Sequence, residues 1–359
     1  MLARSIHRLL FACLLALLVC SCTRPRLPRV LKIGLVAPFE GRYRDVGYDA
    51  VYAARLAVRE INAAGGIDGW HLELVAYDDR AEAGLAAQAA RNLAVDADVA
   101  VVLGHFRPET STAAAAIYRQ AGVPLIIIGE GGENDADGVW HLVPTPQSWG
   151  QALLRAGDAL SPVTRSVWGA GPLADAVVRA SEAQGAVQLR QGEPVRGSEL
   201  VFCFLPPVEA GECAGRWRMQ GWGGPLIGDL DMASPAFAKV AGTAARGAQF
   251  VTPYPYPQDV AGTSSWIADY ASIGPHVPPP GPYALPTYEA VQLVASAVRA
   301  VIGQDETPGR QTVLSALSNA HHMGWLGEIA WDAQGYWREA PLYLYQWAES
   351  GPQFDRQLP

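Results

Sequence analysis

The sequence predicts an α/β fold built from doubly wound parallel sheets with helices on both faces. Apolar strand patterns alternate with helical patterns from residue 31 onward, which is the order expected of successive βαβ units. About 330 residues follow residue 29, and this is more than one hydrophobic core usually holds. We therefore expect two lobes.

The first half of the chain alternates regularly between the two patterns. Its predicted strands are 31–37, 71–77, 99–103 and 123–128, and its predicted helices are 48–63, 81–95 and 110–121. The first strand is mostly apolar, as expected where both faces of a parallel sheet are covered. The chain then breaks around the Val-Pro-Thr-Pro segment at 143–146.

A second set of units follows the break. Its predicted strands are 164–168, 199–205, 224–228 and 249–254, and its predicted helices are 172–184, 208–220, 258–271, 287–303 and 309–319. Residues 275–286 are rich in proline and predict a surface loop. Two antiparallel strands, 327–332 and 341–347, are expected to finish the chain, with a turn at 332–335.

The N-terminus predicts export and a lipid anchor. Arg4, His7 and Arg8 precede an apolar run at 9–19, which is too short to span a bilayer comfortably and has the layout of a secretory signal. The segment Val-Cys-Ser-Cys at 19–22 resembles a bacterial lipobox. We expect a signal peptide at 1–21, lipidation of Cys22 and a proline-stiffened tether at 22–29. An ordinary cleaved signal that leaves an unanchored protein is the alternative.

Charge and cysteine content restrict the partners. Removal of 1–21 takes away Arg4 and Arg8, so the formal charge changes from −8 to −10, which argues against nucleic acid as a partner.

Of the cysteines beyond the lipobox, Cys203 lies on a predicted strand and Cys213 on the next helix. In an oxidising compartment these two form either a disulfide or two buried thiols, and the spacing allows both.

Several motifs in order resemble the type I periplasmic binding proteins, specifically the branched-chain amino-acid subgroup of ABC importers. They are IGLVAPFEG at 33–41, REINAAGGIDG at 59–69, LELVAYDD at 72–79, TYEA at 287–290 and EIAWDAQG at 328–335. The resemblance covers nearly the whole mature chain, is strongest up to residue 130 and is thin from 150 to 250.

The resemblance implies two αβα lobes joined by three hinge crossovers, near 143–146, 251–256 and 325–330. The first lobe would comprise 30–143 and 257–324. The second lobe, together with the hinge segments, would comprise 144–256 and 325–359. It also implies that the chain captures a small polar molecule, an amino acid or a related compound, and delivers it to importer permease subunits from the outer face of a bacterial membrane.

Ligands in such folds lie at the carboxyl ends of strands, against helix N-termini. The loops 104–112 and 129–132 occupy that position in the first lobe. The candidate ligand-binding residues are Phe39, Tyr43, Phe106, Glu109, Thr110, Gly129, Glu130, Asp229 and Tyr254. The acid that pairs with a ligand ammonium in the family corresponds to Asp229 or Asp231.

The chain departs from the family pattern at the site. Pro108-Glu109 and Gly129-Glu130-Gly131 stand where the relatives carry hydroxyl and small residues, and Pro172 replaces an aromatic residue. The ligand is therefore either not a standard α-amino acid or is held in a different pose. The added acids favour a cationic or polyhydroxylated ligand, whereas Arg107 would favour an anion.

Each candidate also has a structural interpretation. Glu109 suits the first turn of a helix, Glu130 a solvent-facing loop, Asp229 and Asp231 a helix cap, and Phe106 lobe packing. The sequence therefore leaves two roles possible for each of these residues: contact with a ligand or support of the local structure.

Catalysis is not predicted. The loop at 169–174 imitates a dinucleotide fingerprint, but Pro172 removes an amide that a phosphate would use. His321 and His322 are adjacent, so they cannot bind one metal ion from a shared helix face. We expect no enzyme activity, no metal and no cofactor. A sensor that uses the same two-lobed closure is the alternative to transport, and an exported enzyme is a weaker one.

Overall fold

We describe a computed structural model over residues 29–131, 137–160, 164–183, 190–191 and 199–358. The predicted signal peptide, the predicted lipidation site Cys22 and residues 22–28 of the predicted tether lie outside these ranges. Among the helices that the structure describes, none has both the length and the apolar content to cross a membrane.

The first sheet has five parallel strands in the order β2-β1-β3-β4-β5. The strands are β1 Arg29–Ala37, β2 Trp70–Asp78, β3 Val99–Gly104, β4 Leu125–Ile127 and β5 Val139–His141. The helices are α1 Arg44–Ala63, α2 Ala83–Val95 and α3 Pro108–Gln120. Later in the chain, α9 Ala284–Gly303 packs on α1, and α10 Arg310–Ser318 contacts β3 and α9.

Alternate residues of the first sheet enter two hydrophobic clusters. Leu31, Ile33 and Leu35 of β1 pack with α1 and α9, whereas Val36 packs with Leu93 of α2 and the facing side of α3. Because side chains alternate across a strand, both faces of the sheet are covered by helices. The mostly apolar strand predicted at 31–37 follows from this double burial.

The second sheet has seven strands in the order β14-β13-β10-β9-β8-β6-β7. The strands are β6 Arg165–Gly169, β7 Arg190–Gln191, β8 Leu200–Phe204, β9 Leu226–Gly228, β10 Gln249–Thr252, β13 Leu342–Ala348 and β14 Gly351–Leu358. Its helices are α4 Pro146–Asp158, α5 Pro172–Ala183, α6 Pro207–Met219 and α7 Pro235–Ala241. The strands β6 to β10 pair in parallel, and β13 joins them in antiparallel orientation.

The chain passes between the two sheets three times. It leaves the first sheet after β5, since α4 packs on β9, β10 and β13. It returns after β10 through α8 Ser264–Ala271, which contacts α1, to reach α9. It passes over again between the small hairpin β11 His322–Gly324 and β12 Gly327–Ile329, which contacts α9, and β13. The predicted α/β fold class is confirmed.

The prediction that strands 327–332 and 341–347 pair with each other is wrong. The first of these strands, β12, pairs with β11, and the second, β13, pairs with β10 and β14. The turn itself is present, because Asp332 Oδ1 accepts hydrogen bonds from the amides of Gln334 and Tyr336. The strand β14 has mostly exposed side chains and so lacks the apolar alternation that would have predicted it.

The sequence also did not predict helix α4, which begins where a break between the two sets of units was expected. Thr145 caps it by accepting a hydrogen bond from the amide of Ser148 at 3.2 Å, and Pro146 occupies its first turn. A capping residue followed by proline is a recognised helix start, so the segment that suggested a break also contains the signal for α4.

Candidate functional site

The carboxyl ends of strands from both sheets meet around one small cavity. The first sheet contributes the loops after β3 and β4, and the second sheet the loops after β6, β8 and β9. The cavity has a volume of about 130 Å³. Its lining includes Arg107, Glu109, Glu130, Asp229 and Asp231, together with residues 170–174 and Phe204. We call it the acidic cavity.

Arg107 lies between the two lobes. It directly precedes α3, and its Nη1 lies 2.6 Å from Asp231 Oδ1 of the opposite lobe. Its guanidinium carbon is 4.6 Å from the centre of the Tyr43 ring, a cation–π distance, and its Nε lies 3.7 Å from Glu109 Oε1. The sequence left Arg107 open as an anion ligand, and the structure places it in a largely buried ion pair.

Burial raises the pKa of three carboxyl groups that line this cavity, those of Glu130, Asp229 and Asp231. It raises the pKa of Glu130 to about 7, with Arg107 opposing that change. Burial, together with the neighbouring Glu130, raises the pKa of Asp229 well above its usual range. Burial also raises the pKa of Asp231, although Arg107 counteracts it. Glu130 and Asp229 therefore bind their protons more tightly than exposed carboxyl groups do, although Arg107 lies close to both.

Glu109 and Asp229 occupy different positions relative to the acidic cavity. Glu109 lies in the first turn of α3 with its side chain half exposed, at the rim of the acidic cavity. Asp229 is 4% exposed, and its Oδ1 accepts a hydrogen bond from the amide of Asp231 at 2.9 Å. Asp229 therefore caps the short helical turn at 230–233 and also lines the cavity.

Three of the predicted site residues, Thr110, Phe106 and Gly129, support the loops from beneath. Thr110 is buried, and its hydroxyl donates to the Arg107 carbonyl at 3.0 Å. Phe106 packs edge to face on Tyr283 with ring centres 5.5 Å apart. A Cβ at Gly129 would lie 2.1 Å from the Phe106 carbonyl oxygen, so only glycine allows these loops to approach so closely. These side chains do not form the lining of the acidic cavity among the described residues.

Tyr254 also acts as a support. It is fully buried, and its hydroxyl lies 2.5 Å from the carbonyl oxygen of Leu142 and contacts that of Ile128. It therefore ties the segment after β10 to the first sheet. Phe39 is half-buried against the core, and its amide donates to Asp78 Oδ1 at 2.8 Å.

Sequence reasoning missed further contacts between the lobes. The hydroxyl of Ser234 donates to Asp45 Oδ2 at 2.7 Å, and Arg42 pairs with Glu209 at the exposed edge. Asp45 lies at the second position of α1, where an acid is ordinary, so no local signal distinguished it.

Cys203 and Cys213 are both buried and both free. Burial also raises the pKa of the Cys203 thiol. Of the two alternatives left by the sequence, the structure shows two buried thiols.

The fold and the cleft between the sheets define a two-lobed binding protein. A family profile described as periplasmic binding protein matches residues 30–189 and 173–352, and the chain belongs to this family. The predicted resemblance is thereby confirmed.

Two relatives with binding-protein names match over most of their length. An amino acid binding protein of Pseudomonas aeruginosa is 26% identical over 354 residues, covering 89% of this chain and 90% of the relative. A leucine-specific-binding protein of Salmonella typhimurium is 23% identical and covers 89% of this chain and 92% of the relative.

Solved structures match the same architecture. The substrate-binding protein LivJ of Streptococcus pneumoniae, in complex with isoleucine, aligns with a TM-score of 0.78 at 21% identity, over 92% of this chain and 100% of that chain. A solute-binding protein of R. palustris in complex with benzoate aligns with a TM-score of 0.72 at 18% identity. The alignment covers 91% of this chain and 96% of that chain. These likenesses establish the periplasmic binding protein type I fold.

Proposed function

We propose that this chain is an exported, lipid-anchored solute-binding protein that captures an amino acid or a related polar compound between its lobes. It delivers the ligand to the permease subunits of an ABC importer and performs no chemical step on it. Family membership and the names of the relatives support this proposal.

One observation carries the proposal: both lobes contribute charged side chains to the same cavity. Arg107, Glu109 and Glu130 come from the first sheet, and Asp229 and Asp231 come from the second. A ligand that contacts both sets of groups binds the closed arrangement better than the open one, which is the requirement for a population shift toward closure.

The charges also indicate how an amino acid would lie. Its ammonium would meet Glu130 and Asp229, whose buried carboxyl groups would gain a counter-ion there. Its carboxylate would meet the guanidinium of Arg107 and the amides at the start of α3. Because four acids and one arginine line the cavity, a ligand with an additional positive charge would be attracted more strongly than a ligand without one.

Closure is the proposed mechanism. The ligand first binds the loops after β3 and β4, and the second lobe then brings Asp229 and Asp231 onto it. We propose that the predicted lobes, 30–143 with 257–324 and 144–256 with 325–359, move as the two units. The closed form is the one that the membrane partner recognises.

The lipid anchor is proposed from the lipobox alone. Cys22→Ser should release the mature protein from the membrane fraction, because acyl chains on that residue would supply the attachment. Phase partitioning into detergent of the wild type and of the variant measures this. Equal partitioning of both proteins would contradict the anchor and leave ligand capture standing.

Ligand capture is tested with a panel of amino acids, amides, polyamines, purines and aromatic acids. A true ligand raises the melting temperature by mass action. Asp229→Asn should abolish that rise, whereas Asp98→Asn, a surface acid near Lys32, should keep it. A ligand-induced rise that survives Asp229→Asn unchanged would place the ligand elsewhere, and no rise with any compound would overturn the proposal.

A further inference from the structure

A second and larger cavity lies on the other side of the Arg107–Asp231 pair. It has a volume of about 590 Å³, which is within the range of small-molecule sites. Both lobes line it, through the first turns of α1, the segment 230–235 and the proline-rich loop 278–282. The lining includes Asp231 and Tyr43 but neither Glu130 nor Asp229. We call it the proline–tyrosine cavity.

Its walls are mainly apolar, and their polar groups are largely satisfied within the protein. The hydroxyl of Tyr256 donates to the Ala233 carbonyl at 3.0 Å. Asp49 accepts from the amides of Gly281 at 2.9 Å and Tyr283 at 3.3 Å, which holds the proline-rich loop in place. A guest would therefore gain chiefly by burying apolar surface against proline rings and the faces of tyrosines.

Two carboxyl groups of this apolar wall, those of Asp45 and Asp49, are held by hydrogen bonds, and Arg44 is the cation nearest to Asp45. Asp45 and Asp49 lie one turn apart on α1, and within the described part of the chain neither forms an ion pair with lysine or arginine. Arg44, which also lines the cavity, is exposed on the same helix. The third acid in the wall, Asp231, is paired with Arg107. Burial raises the pKa of Asp49 to about 8, as expected for a carboxyl group that lacks a counter-ion.

We propose that the proline–tyrosine cavity is a second ligand site, for an aromatic amine whose ammonium meets Asp45 and whose ring packs on Tyr48 and the proline-rich loop. The ammonium would form the ion pair with Asp45 that the exposed Arg44 does not form, and tyrosine faces would attract it further. An anion at the same position would be repelled by Asp45. This site goes beyond the proposed function, because its guest contacts a different set of residues.

The guest would also favour closure. Asp45 accepts a hydrogen bond from Ser234 of the other lobe, so the proposed ammonium site is complete only when the lobes are together. Ligand in either cavity therefore raises affinity for ligand in the other, as reciprocal coupling requires.

The test compares three probes of one shape: phenethylamine, 2-phenylethanol and phenylacetate, titrated calorimetrically at pH 7. The amine should bind about ten-fold or more tightly than the alcohol, and the acid should bind least. Asp45→Asn, which can still accept from Ser234, should lower amine affinity to that of the alcohol. Tyr48→Ala should weaken amine and alcohol together, and Tyr48→Phe should restore both.

Controls keep the outcomes distinct. Asp98→Asn should bind the amine as the wild type does. Amine binding that is lost in Glu130→Gln but kept in Asp45→Asn would place the amine in the acidic cavity and overturn the second site. Absence of amine binding in the wild type would overturn it as well. Failure of the amino-acid panel would overturn only the proposed function, since the amine is measured separately.

Discussion

Arg107 and Asp231, which are 124 residues apart in sequence, form an ion pair of 2.6 Å that joins the two lobes. The two side chains are only 15% and 10% exposed. The pair therefore closes the cleft from within, with a cation and an anion supplied by the protein itself.

Removing this cation should open the unliganded protein. Arg107→Met leaves Asp231 in the acidic cavity with Glu130 and Asp229 and without its cationic partner, which costs the closed form up to about 3 kcal/mol. Small-angle scattering should show a larger radius of gyration than the wild type. Arg42→Met, which breaks the exposed pair with Glu209, should change closure by about 0–1 kcal/mol. Equal scattering from Arg107→Met and the wild type would contradict this role.

Stability of the unliganded protein should fall as pH rises. The folded state raises the pKa of Glu130 from 4.5 to about 7, so it binds this proton more tightly than the unfolded chain does. The contribution is fully present below pH 4.5 and is lost progressively up to pH 7, amounting to at most roughly 3 kcal/mol. Glu130→Gln should flatten the decline in melting temperature between pH 5 and 7.

Asp49 supplies an internal control for that experiment. Its pKa is raised to about 8, so its contribution to stability also decreases as pH rises, and this decrease extends to pH 8. The decrease should persist in Glu130→Gln. If the stability profile of Glu130→Gln matched that of the wild type at every pH from 5 to 8, Glu130 would not bind its proton more tightly in the folded state.

Gly129 should not tolerate a side chain. An alanine Cβ would lie 2.1 Å from the Phe106 carbonyl oxygen, so Gly129→Ala must separate the two ligand loops and should cost about 1–3 kcal/mol or more. Gly84→Ala is the matched control. It lies in α2 with no atom near its added Cβ and should stabilise the protein by about 0.5–1 kcal/mol. Chemical denaturation measures both, and similar effects at the two positions would refute the close approach.

The two internal cysteines should be unreactive in the native protein. Cys203 is fully buried and Cys213 is 8% exposed, so neither sulfur is open to a reagent, and burial also raises the pKa of the Cys203 thiol. In a version of the protein that begins at Thr23, a thiol reagent should label neither residue natively and both after unfolding. Recovery of a peptide pair linked by a disulfide would contradict the structure.

Local patterns predicted most of the elements. The strand predicted at 99–103 is β3 at Val99–Gly104, and the helix predicted at 172–184 is α5 at Pro172–Ala183, because these segments are periodic and buried on a definite face. The missed elements are short or polar. The strand β14 is mostly exposed, and α7 has seven residues, so neither shows a clear apolar period.

The candidate site was predicted only in part. The loops after β3 and β4, and Glu109, Glu130 and Asp229, were identified from their position after apolar strands, and all three acids line the acidic cavity. The aromatic residues Phe106 and Tyr254 were expected as walls and instead lie buried beneath the loops. An aromatic residue has the same local signal in both roles, because hydrophobicity reports burial and not which neighbour buries it.

The sequence alone determined the α/β order, the family to which the chain belongs and the strand ends that line the acidic cavity. These properties reside in local periodicity and short motifs. Only the tertiary structure decided that Arg107 pairs with Asp231, that Ser234 reaches Asp45 and that β13 pairs with β10. Each of these contacts joins segments far apart in the chain, and their distance depends on how the two sheets are brought together, which no local pattern encodes.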